Sequence, residues 1–237
     1  MKTLGIVGGL GPESTIEYYR LLIAGYRERV SDETYPPLLI HSIDVNKLLA
    51  LAAQGKLKEL VEYLLASLLQ LERAGANFAI MAANTPHIVF DEISARSSLP
   101  LISIVQATCD FARAKALKRL GLFGTRSTMQ AGFYQNTFGK AGIAVVVPEL
   151  EDQNYIHGKY VSELVKGVFL PETGNRFLGI AKELKQRHSI EGLILGGTEL
   201  PLLLRDGSAI GIAFLDTTRI HVNAALDEML RSSDQGT

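Results

Sequence analysis

Four times along the chain, a short apolar run ends in small residues and passes straight into a helix-starting segment. These are GIVGGLGPEST from Gly5, IMAANTPH from Ile80, GLFGTRST from Gly121 and LILGGTEL from Leu193. Strands that alternate with helices in this way imply parallel sheets covered by helices. Two of the four segments fall in each half of the chain. The expected architecture is therefore α/β: two pseudo-symmetric three-layer domains, residues 1–100 plus 210–237 and residues 101–209. Ligands of open α/β sheets sit at the carboxyl ends of the strands, so an interdomain cleft would collect all four loops. A plainer reading stays open beside this one, because Gly, Thr and Asn suit ordinary turns and caps.

The apolar pattern predicts strands at Thr3–Val7, Leu38–Ile43, Phe78–Ala82, Leu101–Ile104, Arg119–Phe123, Ile143–Val147, Leu193–Leu195 and Ala213–Leu215. It predicts helices over Ser14–Val30, Leu57–Arg73, Ile88–Arg96, Gln106–Lys118, Thr128–Lys140, Asn154–Val168, Asn175–Arg187, Glu199–Leu204 and Thr217–Leu230. Ser14 followed by Glu17 has the capping-box spacing, and Asp216 is placed to cap the last helix. The final SSDQGT reads as a loose tail.

Composition narrows the partners. Of 237 residues, 24 are Lys or Arg and 25 Asp or Glu, a net charge of −1, which argues against binding nucleic acid by phosphate neutralisation. No basic run marks a membrane surface, and no window approaches the ~18 apolar residues of a membrane helix. Glycines and Pro12 interrupt the first apolar stretch, unlike a signal peptide. A cytoplasmic location is expected. The single cysteine, Cys109, excludes an intrachain disulfide and a multi-cysteine zinc site; among Ala107, Phe111 and Ala112 it reads as a buried small hydrophobe. His41, His157 and His188 form no cluster, so no metal site is expected.

Each loop offers polar groups suited to a small anion. Gly9-Leu10-Gly11 begins like a dinucleotide fingerprint, but Ser14 stands where the third glycine belongs. The backbone N–H groups after Gly9 still suit an anion at a helix start. Asn84 and Thr85 can donate hydrogen bonds to a carboxylate, or simply cap the helix that Pro86 opens. Thr125, Ser127 and Thr128 bring three hydroxyls to one strand–helix junction. Thr198 and Glu199 stand at the fourth, where Glu199 is either a catalytic carboxylate or a partner of the helix dipole. His87 and His221 are the remaining ionisable side chains in or near these loops.

Taken together, GIVGGLGPESTIEYY, the SID at Ser42–Asp44, ANTPH, LFGTRSTM, LILGGTEL and DTTRIH resemble the aspartate/glutamate racemase family in order and spacing over nearly the whole chain. The resemblance implies an active site between two α/β domains and racemisation without pyridoxal phosphate. In that family one cysteine precedes the Asn-Thr pair and another precedes Thr-Glu, so that two thiols flank the α-carbon. Here those positions hold Ala83 and Gly197. By the same resemblance Gly9, Asn84, Thr85, Thr125, Ser127, Thr128 and Thr198 hold substrate, and Lys166 pairs with its carboxylate.

The sequence therefore implies a racemase-like protein for a small carboxylate-bearing molecule, an amino acid above all, and a homodimer. It also implies that the two-thiol mechanism is absent. Glu199 and His87 are the substitute acid–base candidates, with a water on Thr198 and Glu199 as a proton shuttle. The alternatives are an inactive binding protein or an enzyme with non-cysteine chemistry.

Overall fold

Every residue of the first strand, β1 (Leu4–Gly8), is buried, as expected of a central parallel strand with both faces covered. The computed structural model describes residues 1–205 and 207–231. The chain divides into two compact units, Met1–Ile104 with the chain from Thr218 onward, and Val105–Thr217.

In the first unit β1 is followed by α1 (Pro12–Arg29), β2 (Leu38–Ser42), α2 (Val45–Ala53), α3 (Leu57–Arg73), β3 (Phe78–Met81), a 3-10 turn (Thr85–Val89) and α4 (Phe90–Arg96). The strand order is β2-β1-β3, all parallel. Alternation along the strands divides the core in two. Leu4, Ile6, Phe78 and Ile80 pack with Tyr18, Leu22 and Tyr26 of α1 and with Val222, Leu226 and Met229 of the final helix. Val7, Ala79 and Met81 pack with Leu60, Leu64, Leu68 and Leu71 of α3. The sheet is thus the middle of three layers.

The second unit runs through α5 (Ile104–Ala114), β4 (Arg119–Gly124), α6 (Arg126–Gln130), α7 (Phe133–Lys140), β5 (Ala144–Val146), α8 (Leu150–Ser162), a 3-10 turn (Leu164–Lys166), α9 (Pro171–His188), β6 (Gly192–Gly196), α10 (Leu200–Leu203) and β7 (Ala213–Asp216). The helix α11 (Thr217–Leu230) then returns the chain to the first unit. The order β5-β4-β6-β7 is again parallel. Phe123, Leu193 and Leu195 pack on Ile156, Tyr160, Phe177 and Leu184. Leu120, Leu122 and Ile194, of opposite parity, are fully buried as well.

The two sheets share a plan. In each, the first strand is central, the second lies on one side and the third on the other. A parallel bridge from Ala79 to Leu101 stands in the first unit where β7 stands in the second. Connections from the central strand and from its third-strand neighbour lead to opposite sides, which makes the ends of β1 and β3, and of β4 and β6, the switch points where open α/β sheets bind ligands.

Several expectations are corrected. Helix α1 starts at Pro12 with Gly11 as N-cap, so Ser14 lies buried inside the helix and no capping box forms; proline's fixed φ opens the helix two residues early. Glu17 pairs instead with Arg20. Helix α2 was not expected; the Asp44 side chain accepts from the Asn46 N–H at 2.8 Å and caps it. The single helix expected over Thr128–Lys140 is broken at Gly132, which is left-handed with φ 79°. Leu101–Ile104 contributes one bridge, and Ile104 already belongs to α5. Residues 210–217, expected with the first unit, include β7, whose pairing with β6 puts them in the second. The SSDQGT tail lies outside the described residues.

Candidate functional site

In the first unit, β1 and β3 are hydrogen-bonded neighbours, so the loops that follow them leave the sheet side by side. Ala82 N–H donates to the Val7 carbonyl at 3.0 Å and extends the ladder by one residue. Gly9 turns the first loop with φ 73°; a Cβ there would meet Ser42 Oγ at 2.5 Å and collide with the Ile43 backbone. A left-handed backbone in so tight a place requires glycine. The Gly9 N–H donates to Thr15 Oγ1 at 2.9 Å. This loop therefore satisfies at least one of the N–H groups expected to face an anion.

At the end of β3 stand Ala83, Asn84 and Thr85, all buried. Asn84 precedes the 3-10 turn, and its carbonyl accepts the His87 N–H at 3.0 Å. His87 is buried and stacked on Phe90, ring centroids 5.1 Å apart. Its Nδ1–H donates to the Ala83 carbonyl at 3.1 Å, and its Nε2 accepts the Ile104 N–H at 3.2 Å. Both ring nitrogens are thus committed. Burial, aided by His221, lowers its pKa to about 3. The expected base is instead a neutral brace, because a lone pair holding a backbone N–H cannot also take a substrate proton.

His221 is braced in the same way. Its Nε2–H donates to the Ile102 carbonyl at 2.9 Å, Tyr18 donates its hydroxyl to Nδ1 at 2.8 Å, and burial lowers its pKa to about 4.

In the second unit, β4 and β6 pair through Gly124 and Gly196, so Thr125 and Gly197 lead off adjacent loops. Thr125 is the N-cap of α6: its hydroxyl accepts the Thr128 N–H at 3.2 Å and lies 3.0 Å from the Thr128 hydroxyl. Ser127 is half-buried and Thr128 buried. Lys166 is exposed on the 3-10 turn after α8.

The loop after β6 is tightly furnished. Thr198 and Glu199 are buried, and Thr198 donates its hydroxyl to Glu199 Oε2 at 3.0 Å. The same oxygen accepts the hydroxyl of Tyr160, from α8. Burial and the Glu199 carboxylate push the Tyr160 pKa well above its ordinary value, so it stays a phenol. The Tyr160 ring lies against Gly197: a Cβ on 197 would stand 2.5 Å from Cε2, 2.7 Å from the hydroxyl oxygen and 2.9 Å from Cζ.

Sequence reasoning missed two residues here. Tyr160 lies 39 positions from Glu199, inside an amphipathic helix, and no local pattern marks it. Thr218, in the DTTRIH segment, has a buried hydroxyl with no hydrogen-bond partner among the described residues. Cys109 is buried in α5, and burial together with Asp110 pushes its thiol pKa up, which makes a thiolate harder to form. Among the described residues, no cluster of three or more His, Cys, Asp or Glu is arranged to hold a metal, and no helix is long and apolar enough to cross a membrane.

The Asp/Glu/hydantoin racemase family model matches residues 7–225, and the chain belongs to that family. It is 27% identical over 157 residues to the broad-specificity amino-acid racemase RacX of Bacillus subtilis; the match covers 60% of this chain and 63% of that protein, less than two thirds of its length. Among solved structures, a Yersinia pestis protein assigned to the Asp/Glu racemases superposes with a TM-score of 0.89 at 31% identity, over 98% of this chain and all of that one. An aspartate racemase homologue from Pyrococcus horikoshii gives 0.83 at 32%, with the same coverage.

Proposed function

We propose that this chain binds a small acidic amino acid, or a close carboxylate relative, at its strand-end loops, and that it does not invert the α-carbon by the two-thiol route. The observation that carries the reading is the pair of side chains at 83 and 197. They are a methyl group and a hydrogen, neither able to take or give a proton, while the hydrogen-bonding groups beside them are kept. Asn84, Thr85, Thr125, Ser127 and Thr128 supply amide and hydroxyl donors to the ligand's carboxylates, while the Thr198 hydroxyl is held by Glu199. Lys166, by likeness to the family, supplies a cation, and the Thr218 hydroxyl adds a further donor.

Cys109 is no substitute thiol, since it is buried within a helix and lies in neither loop. Family likeness also supports a site free of pyridoxal phosphate, a homodimer as the working form and a cytoplasmic location.

Titration calorimetry with the two enantiomers of aspartate and glutamate tests the reading. Saturable binding to the wild type, weakened at least about tenfold in Ser127→Ala through loss of a hydrogen bond to a charged group, is the expected result. No heat with any of the four amino acids would end it.

A further inference from the structure

Gly197 and Tyr160 are complementary. The glycine leaves room that the phenol fills, and the hydroxyl oxygen stands 2.7 Å from where the first atom of a 197 side chain would be. That oxygen donates to Glu199 Oε2, which also holds the Thr198 hydroxyl. The β6 loop therefore carries an oxygen acid next to its missing side chain, backed by a carboxylate able to receive its proton. The loop after β3 has nothing comparable: Ala83 ends in a methyl group, and the nearby His87 has both ring nitrogens engaged.

We propose that the Tyr160 hydroxyl, backed by Glu199, stands in for the side chain absent at 197 and exchanges the α-proton of a bound amino acid from one face only, with retention of configuration. This deepens the reading above and rests on it, since the β6 loop must hold the ligand. The step balances without an oxidant, reductant or co-reactant. The α C–H bond breaks and its proton passes to the Tyr160 oxygen. The proton already on that oxygen passes to Glu199. The electron pair left on carbon spreads into the α-carboxylate as an enediolate. Glu199 trades its proton with solvent, and the reverse transfer closes the C–H bond on the same face. Because the same oxygen takes and returns the proton, hydrogen is exchanged and handedness is kept.

The test is proton NMR in heavy water with each enantiomer of aspartate and glutamate, followed by chiral chromatography, with binding measured in parallel by calorimetry. The expected result is loss of the α-proton signal from one enantiomer of a bound amino acid, with no opposite enantiomer formed. Tyr160→Phe and Glu199→Gln should each bind within about threefold of wild type and exchange about a hundredfold more slowly, the scale of a lost acid–base group. Binding without exchange in the wild type, or undiminished exchange in Tyr160→Phe, would overturn this inference and leave the binding reading standing. Absence of binding, or appearance of the opposite enantiomer, would overturn both.

Discussion

The imidazole of His87 accepts the backbone N–H of Ile104 at 3.2 Å and so fixes the start of α5 to the end of β3. Protonating Nε2 would turn that acceptor into a donor facing a donor. His221 pins the Ile102 carbonyl two residues earlier. The pKa values are about 3 for His87 and about 4 for His221, against an ordinary 6.5, in both cases chiefly because burial disfavours the charged form. As pH falls through about 6.5 the unfolded chain takes up these protons and the folded chain does not. The stabilisation is therefore complete above about pH 6.5 and declines toward pH 4 and below. Each histidine contributes a slope of about 1.4 kcal/mol per pH unit once the unfolded form is mostly protonated. Urea unfolding at a series of pH values should show this decline, and His221→Gln should show a shallower one. A flat profile from about pH 7 to about pH 5 would mean that the imidazoles are not held neutral.

Restoring the thiols needs more than two substitutions. A cysteine at 197 would place its Cβ within 2.5 Å of the Tyr160 ring. We expect Ala83→Cys with Gly197→Cys alone to lose stability, by about 1–3 kcal/mol for overpacking. Adding Tyr160→Ala makes the room, and the triple variant should gain racemisation detectable by circular dichroism of aspartate or glutamate. Normal stability in the double variant would show that Tyr160 does not occupy that space.

The Gly9 turn has its own test. Gly9→Ala puts a methyl group on a backbone with φ 73° and against Ser42 Oγ. The left-handed conformation alone costs an L-residue about 1–2 kcal/mol, and the contact adds to this. Denaturant unfolding should report a loss of at least about 1 kcal/mol; a smaller loss would mean the loop relaxes freely.

At the second unit's first loop, Thr125→Ala removes the acceptor of the Thr128 N–H. Loss of an N-cap hydroxyl typically costs about 1 kcal/mol. Thr125→Ser keeps the oxygen and should recover most of it in the same unfolding measurement. Equal losses in both variants would assign the effect to the threonine methyl group instead.

The parallel architecture was legible because buried strands such as LGIVG and FAIM are short apolar runs set between helical periods, and β-α alternation leaves few other arrangements. Helix α3 was read to its ends because Leu60, Leu64, Leu68 and Leu71 keep one face apolar. Helix ends set by backbone conformation were less legible: Pro12 overrode the Ser14 capping pattern, and Gly132 broke a continuous run. The loops were legible as loops, but the state of their ionisable groups was not. His87 and Glu199 look alike on sequence as acid–base candidates. Only the fold reveals that one spends both nitrogens on backbone groups while the other shares an oxygen with Tyr160, a residue from a distant helix.

The most direct measurement of the central claim is the enantiomeric composition of L-aspartate and L-glutamate after prolonged incubation with wild-type protein at concentrations that calorimetry has shown to saturate it. Each should stay the L-enantiomer while bound, because the side chains at 83 and 197, a methyl group and a hydrogen, can neither take nor give a proton. Accumulation of the D-form toward an equal mixture, catalysed by a chain with alanine at 83 and glycine at 197, would contradict it.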